Sequence, residues 1–464
     1  MSLRVRREGG RWIQTLKGPD TARGGLLRRL EIEAPVPRPV PQLDRFDPDA
    51  VGALLTEVER AGPWVETVHV QVRRTRQAVR LFDSDIVLAF DSGVVEAGGH
   101  TAPISELELE LVTGRPDRLY ELAIALSEAV PFRIERRSKL QQGLALRRGM
   151  MQPEPVRAAP VTIEPGSDPA RVFTDTVGAC LAHLQANELP AADGDDPEGV
   201  HQARVAIRRL RALVGLYRAT MRPDVLNSLR TELRWLQGAL GPAREWDVFL
   251  TETLTPLDEA FPGEPGLAAL RRAAEAERRA AYRTVTETLH DTRYLRLELQ
   301  TALWLESREW LNPDAAARFA EPGSLETFAG DVLERAYHKL RKAGRRHEGL
   351  DSAGLHRVRI LAKKLRYAGE FFESLYPRKP TRRFLKRLAG IQEALGSMND
   401  AAVAQHLLGV LTARLEAEGA DGPMVATGCG LVRGWQAAVV ATDRSHFDGL
   451  WRRWRQAERF WTTD

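Results

Sequence analysis

The chain has 464 residues, with 67 Lys plus Arg against 63 Asp plus Glu and a formal net charge of +4. This length suits about three domains of ordinary size, and a near-neutral total leaves any anion site to local clustering of charge. Cys180 and Cys429 are the only cysteines and neither has a CxxC partner, so neither a disulfide framework nor a thiolate metal site is suggested. No run reaches the roughly 18 apolar residues of a membrane span, and "MSLRVRREGG" lacks the apolar core of a signal peptide, so a cytoplasmic chain with no membrane partner is expected.

Residues 1–148 read as mostly β. "SLRVRR", "RWIQTLKG", "RRLEIEAP", "VETVHVQVRR", "SDIVLAFDSG", "PISELELELVTG" and "SKLQQGLAL" are short and alternating, bounded by Gly, Pro or Asp, and predict seven strands. Helical inserts are expected around residues 48–61 and 116–129. In "SELELELVTG" Glu106, Glu108 and Glu110 alternate with leucines and so share one face of a strand. "RRLEIEAP" places Arg29, Glu31 and Glu33 on one face, and "LRVRR" does the same for Arg4 and Arg6. Carboxylates side by side repel, and burying them requires a cation; oxygen-only ligands suit Mg²⁺ or Mn²⁺. Acidic rungs for metal beside basic rungs for phosphate describe a phosphoryl-transfer site. The competing reading is a solvent-facing charged ladder.

"MQPEPVRAAPVTIEPGSDPA" carries five prolines in seventeen residues, which no packed helix or central strand tolerates, and residues 149–167 read as a linker. From residue 168 to 464 the chain is rich in Ala, Leu, Arg and Glu with helical periodicity. This half repeats itself: "HQARVAIRRLRA" at residue 201 returns as "HRVRILAKKLRY" at 356, and "LQGALGPARE" at 236 as "IQEALGSMND" at 391, always 155 positions on. His183 and His338 keep the same offset. Two copies, about 168–312 and 323–464, would pack as two bundles about a pseudo-twofold axis, with their cationic faces converging.

His201, Arg204, Arg208 and Arg211 fall in one stripe of a helix, and residues 200–218 contain no carboxylate. A solvated face mixes signs, because like charges one turn apart repel. Residues 333–387 hold seventeen Lys or Arg against five acidic residues. Four repeated histidines invite a zinc site, but arginine one turn away opposes a divalent cation; a histidine there is better placed to donate a hydrogen bond to an anion. Guanidiniums in a row match a ligand with regularly spaced phosphates. Single-stranded nucleic acid recognition interleaves aromatic platforms, and only Tyr217 and Tyr367 are available, so inorganic polyphosphate is favoured over nucleic acid. Asn399 and Asp400, like their counterparts Arg244 and Glu245, are expected to be helix N-caps.

The repeated H-x-x-R-x-x-x-[RK]-[RK]-L-R motif, with "LQ..LG" and then "ARE" or "MND", resembles the CHAD family, the conserved histidine α-helical domain, over about residues 168–464. The resemblance implies two four-helix bundles around a basic cavity that binds polyphosphate. It points to His201, Arg204, Arg208, Arg209, Arg211, His356, Arg359, Lys363, Lys364 and Arg366 as contacts, with His183 and His338 near the cavity. Association with polyphosphate granules follows from it.

"LRVRREGGRWIQTLKG", "LEIEAPV", "DSGVVEAGG", "ELELELVTG" and "SKLQQG" resemble the CYTH superfamily, the triphosphate tunnel enzymes, over residues 1–148. This resemblance implies an antiparallel barrel-like domain, phosphate contacts from Arg4, Arg6, Lys17, Arg29, Arg74 and Lys139, and metal held or surrounded by Glu31, Glu33, Glu106, Glu108 and Glu110. It also implies an inorganic triphosphatase using Mg²⁺ or Mn²⁺ on tripolyphosphate. Three departures stand against a complete tunnel: no ExExK strand occurs near the N-terminus, Val87 stands where a glutamate is expected, and seven strands are counted where closure wants eight. Either the domain starts upstream of Met1, or it has lost its chemistry and serves as a scaffold or weak phosphate binder. The expected architecture is an α+β two-domain chain.

Overall fold

The computed structural model describes residues 2–18, 21–23, 26–28, 30–47, 51, 65–149, 154–345 and 350–462. Two compact units emerge, Met1–Gln152 and Pro153–Asp464. Arg29 and nearly all of the expected helical insert at 48–61 lie outside the described residues.

The N-terminal unit contains β1 (Ser2–Glu8), β2 (Arg11–Lys17), β3 (Thr21–Arg23), β4 (Leu26–Arg28), β5 (Glu31–Val36), β6 (His69–Leu81), β7 (Ser84–Ala97) and β8 (His100–Thr113), then α1 (Asp117–Ala129) and α2 (Lys139–Arg147). Among the described residues the strands form two three-stranded antiparallel sheets, β1-β2-β5 and β6-β7-β8, and a two-stranded ribbon, β3-β4. Alternation sorts the first sheet into two faces: Leu3, Leu16, Ile32 and Ala34 pack with Leu43, Phe46 and Val51, leaving Arg6, Thr15, Lys17, Glu31 and Glu33 together on the other.

Two strand expectations need correction. The ribbon β3-β4 was not legible in its glycine-rich surroundings, and "SKLQQGLAL" is a helix. Ser138 caps it in a reciprocal box with Gln141, an arrangement that satisfies two backbone donors and starts a helix. Gly143 lets α2 lie close on Val68: a Cβ at residue 143 would sit 2.3 Å from Val68 Cγ1. Leu146 then joins Val70, Val72, Val95, Ala102 and Ile104 in a small core on one face of the second sheet.

The helical unit runs α3 (Pro169–Ala186), α4 (Glu188–Asp193), α5 (Pro197–Leu216), α6 (Pro223–Ala239), α7 (Gly241–Val248), a π-helical turn (Phe249–Leu254), α8 (Thr255–Ala260), α9 (Pro265–His290), α10 (Thr292–Ser307), α11 (Pro313–Phe319), α12 (Ser324–Ala343), α13 (Ser352–Phe372), α14 (Arg378–Ala417) and α15 (Gly422–Arg455). The repeat is structural: α3 and α12, α5 and α13, and α6 and α14 each begin 155 residues apart. Core positions follow, with Val200 and Leu355, Ile207 and Ala362, and Leu233 and Leu388 all buried in one cluster. The copies differ at one joint. Pro242 lacks the N–H that would continue the ladder, and α6 ends before α7 begins; Ser397 stands at that place in the second copy, and α14 runs 40 residues without a break.

That continuity corrects the expected N-caps, since Asn399 and Asp400 lie inside α14 and Arg244 and Glu245 inside α7. The expected linker is also corrected. From Glu154 onward it is a strap laid on the helical unit: the Val156 amide donates to Asn187 Oδ1 (2.9 Å), the Ile163 amide to Ser374 Oγ (2.9 Å) and the Gly166 amide to Glu326 Oε1 (2.7 Å). An extended proline-rich segment has no backbone partners of its own, so side chains from both copies supply them. No described helix is long and apolar enough to cross a membrane.

Candidate anion-binding site

Helices α5 and α13 pack on each other through the small apolar faces of the repeat. This contact brings the two cationic stripes together, because Arg208 on α5 acts electrostatically on both Arg359 and Lys363 of α13. The Nε atoms of Arg204, Arg208 and Arg359 are buried and have no hydrogen-bond partner. Burial, then Arg208, pulls the Arg204 guanidinium down to about 10, although Glu245 offsets part of this. Burial lowers Arg359 too, Asp400 opposing and Arg208 adding to the fall. Lys363 falls to about 8, through burial and then the charges of Arg359 and Arg208. Donors buried without partners and cations held against one another are unfavourable in the free protein, and together they mark a candidate anion site.

The track continues along both helices. Arg211 and Arg366, equivalent by the repeat, each donate to an equivalent glutamine, Gln237 and Gln392, the second at 2.8 Å. Those glutamines hold the guanidiniums as neutral partners, although Arg366 also pairs through Nε with Glu370 at 2.7 Å. Beyond them, burial and then Arg234 and Arg230 lower Arg211, while burial and then Arg218, Lys339, Arg230 and Arg211 lower Lys364. His201 sits among Arg244, Arg208 and Arg204, its pKa lowered by burial first and by their charges. Arg209 stacks over Phe371, 5.6 Å from its centroid. His356 is exposed at the start of α13. From His201 to Arg211 the stripe spans about 15 Å of helix.

The other two histidines are placed differently. His183 is buried, with Nε2 3.0 Å from the Val156 carbonyl and 3.0 Å from Gln202 Oε1, so it anchors the strap. His338 is exposed and lies 2.9 Å from Glu334, which also accepts from Arg459 and Trp461. Neither is brought into the cationic track by these contacts. Arg218, Arg230, Arg234, Arg244 and Lys339 join it although sequence reasoning missed them. The only signal for Arg230 and Arg234 was their spacing of one turn in "SLRTELRW".

In the N-terminal unit, Asp91, Glu106 and Glu108 bring carboxylate oxygens within 4.8 Å of one another. Asp91 is fully buried and was not singled out by its sequence. It accepts from Arg74 Nε and Nη2 at 2.7 Å each, and Lys139 Nζ lies 2.8 Å from it. Burial would raise its carboxyl, but those two partners take it down to about 2. Lys139 also meets Glu106 and, at 2.8 Å, Glu108; Arg74 reaches Glu108 at 2.6 Å and Glu110 at 3.2 Å. The cation that these carboxylates demand is therefore supplied by the chain itself.

The expected five-glutamate metal set is thus divided. Glu31 pairs with Lys17 (2.9 Å) and Glu33 with Arg6 (2.6 Å) on the first sheet, and Glu110 lies outside the close group. Desolvation and Arg6 lower Arg4, which also feels Glu31, Glu33 and Arg74, so the charged faces of the two sheets are in electrostatic contact. Val87 lies opposite Glu110 and contributes no ligand.

The CHAD domain family matches residues 175–409 and the CYTH domain family residues 1–144. The chain belongs to the CHAD family, with a CYTH domain ahead of the helical unit. MT2285 of Mycobacterium tuberculosis (strain CDC 1551 / Oshkosh), described as an uncharacterized protein, is 28% identical over 400 residues, covering 78% of this chain and 71% of its own length. The crystal structure of the CHAD domain from the plant Ricinus communis is similar at 32% identity and a TM-score of 0.56, over 66% of this chain and 98% of that domain. PptA from Streptomyces chartreusis aligns at 18% identity and a TM-score of 0.48, over 62% of this chain and all of its own.

Proposed function

We propose that the helical unit binds inorganic polyphosphate between α5 and α13. The observation that carries this reading is the set of buried, unpartnered Nε donors of Arg204, Arg208 and Arg359 beside a lysine pulled down to about 8. Phosphate oxygens give such donors charge-assisted bonds and relieve the mutual repulsion. Family membership supports the choice of ligand, and so does the scarcity of stacking platforms among the described residues of the two motifs. Tyr217 is buried in the core and Tyr367 is half-buried, which leaves charge as the means of recognition. Association with polyphosphate granules in the cytoplasm belongs to the same reading. Competition at about 0.15 M salt, where exposed charges are screened beyond roughly 8 Å, separates the ligands: single-stranded DNA of equal charge is expected to fail to displace bound polyphosphate, and displacement would favour a generic basic surface.

A second reading, Mg²⁺- or Mn²⁺-dependent hydrolysis of tripolyphosphate in the CYTH domain, is favoured by the Asp91, Glu106 and Glu108 group. Its all-oxygen donors suit a hard divalent cation, which would neutralise phosphoryl charge when bound. Arg4, Arg6 and Arg74 would orient the phosphates, Arg74 on release from Asp91, Glu108 and Glu110 and Arg6 on release from Glu33. Lys139 already touches all three carboxylates, so metal binding requires that ammonium to move aside. Turnover of tripolyphosphate with either metal, lost on Glu106→Gln plus Glu108→Gln, is the expected result; an inert parent chain contradicts it.

A further inference from the structure

The basic segment at 333–387 is only partly accounted for by the α5–α13 site. Six of its cations, Arg378, Lys379, Arg382, Arg383, Lys386 and Arg387, open α14, and no acidic residue occurs from 374 to 392. They occupy one half of the helix circumference, while Thr381, Phe384, Leu388 and Ile391 bury the other. The first five are exposed and none is within ion-pair distance of a described carboxylate. Arg387 donates to the Arg453 carbonyl at 3.1 Å, which ties this face to the end of α15, where Arg452, Arg453 and Arg455 are exposed. Arg452 and Arg453 also line a depression with Glu393, Asp443 and Asp448, so the cationic face ends on an acidic border.

The first copy of the repeat is an internal control. At the six equivalent places it has Pro223, Asp224, Asn227, Ser228, Thr231 and Glu232. The fold therefore does not need these cations. They also oppose local stability: Arg378 and Lys379 stand at the positive end of the helix dipole, where cations are unfavourable, and Arg378/Arg382, Lys379/Arg383, Arg382/Lys386 and Arg383/Arg387 are like charges one turn apart.

We infer that the face formed by the start of α14 and the end of α15 is a second phosphate-polymer site, present in the second copy alone and separate from the α5–α13 site. It rests on the polyphosphate reading for the identity of its ligand. A surface of exposed lysine and arginine side chains suits a flexible chain of phosphates, held loosely and with strong salt dependence. Two sites on one protein let a long polymer engage both, which raises avidity for long chains over short ones.

The test compares long-chain polyphosphate and tripolyphosphate with four proteins: the parent, Arg204→Ala plus Arg359→Ala, a surface variant with Gln at residues 378, 379, 382, 383 and 386, and their combination. All five glutamines replace exposed side chains, and an unchanged melting curve confirms folding. The surface variant should lose at least tenfold affinity for the long polymer while its affinity for tripolyphosphate is unchanged. The Arg204/Arg359 variant should keep weak, salt-sensitive binding of the long polymer that the combination abolishes. Parent-like binding of the long polymer by the surface variant overturns the second site. So does residual binding that duplex DNA takes and polyphosphate cannot compete for. If the Arg204/Arg359 changes do nothing and the glutamines act, the α5–α13 reading fails and the second site stands.

Discussion

Lys363 shows what a single residue at the site contributes. Its amine is lowered to about 8 by burial and by Arg359 and Arg208, with Arg366 adding and Asp400 opposing. A lowered cation is one whose charged form the free protein disfavours, and a bound polyanion restores it. Affinity for polyphosphate should therefore be full below about pH 8 and weaken as pH rises through that value. Calorimetry at a pH just above 8, in two buffers of different ionisation enthalpy, should report proton uptake in the parent and none in Lys363→Met. Equal heats in the parent would contradict the geometry. Asp91 is the residue the sequence concealed. Its signal lay in register rather than composition, since it pairs across β7 with Arg74 on one side and Glu106 on the other. Period two alone cannot reveal a neighbouring strand's partner.

At the scale of elements, α2 decides where Lys139 stands. Its start is fixed by the Ser138/Gln141 box and its seat by Gly143. Gly143→Ala forces a methyl against Val68 and should destabilise the N-terminal unit by about 1–3 kcal/mol, read as an earlier thermal transition; an unchanged melting temperature would mean that α2 does not rest there. The helix was misread as a strand because nine residues with leucines at 140, 144 and 146 satisfy either period. The capping box was the available discriminator. The strands β1, β5, β6 and β8 were legible because polar or charged residues alternate with apolar ones along much of their length. The helices of the second unit were legible because a stripe that repeats at a fixed offset is seen twice.

Across the whole molecule, a net charge of +4 conceals a division of labour. In the CYTH domain, Arg74 and Lys139 are tied to carboxylates, and in the helical unit Arg204, Arg208, Arg359 and Lys363 face one another with little acid between them. The sequence revealed the repeat, the stripes and their convergence. It hid Arg218, Arg230, Arg234, Arg244 and Lys339, whose place in the track depends on how neighbouring helices pack. It did not reveal that His183 holds the strap and that His338 pairs with Glu334, because a shared offset records duplication of a helix and not which way each side chain turns. The most direct measurement is a titration of polyphosphate into the parent chain and into Arg204→Ala plus Arg359→Ala at about 0.15 M salt. Tight binding in the parent, weakened at least a hundredfold in the variant, is the predicted result; binding indifferent to both changes would contradict a polyphosphate site between α5 and α13.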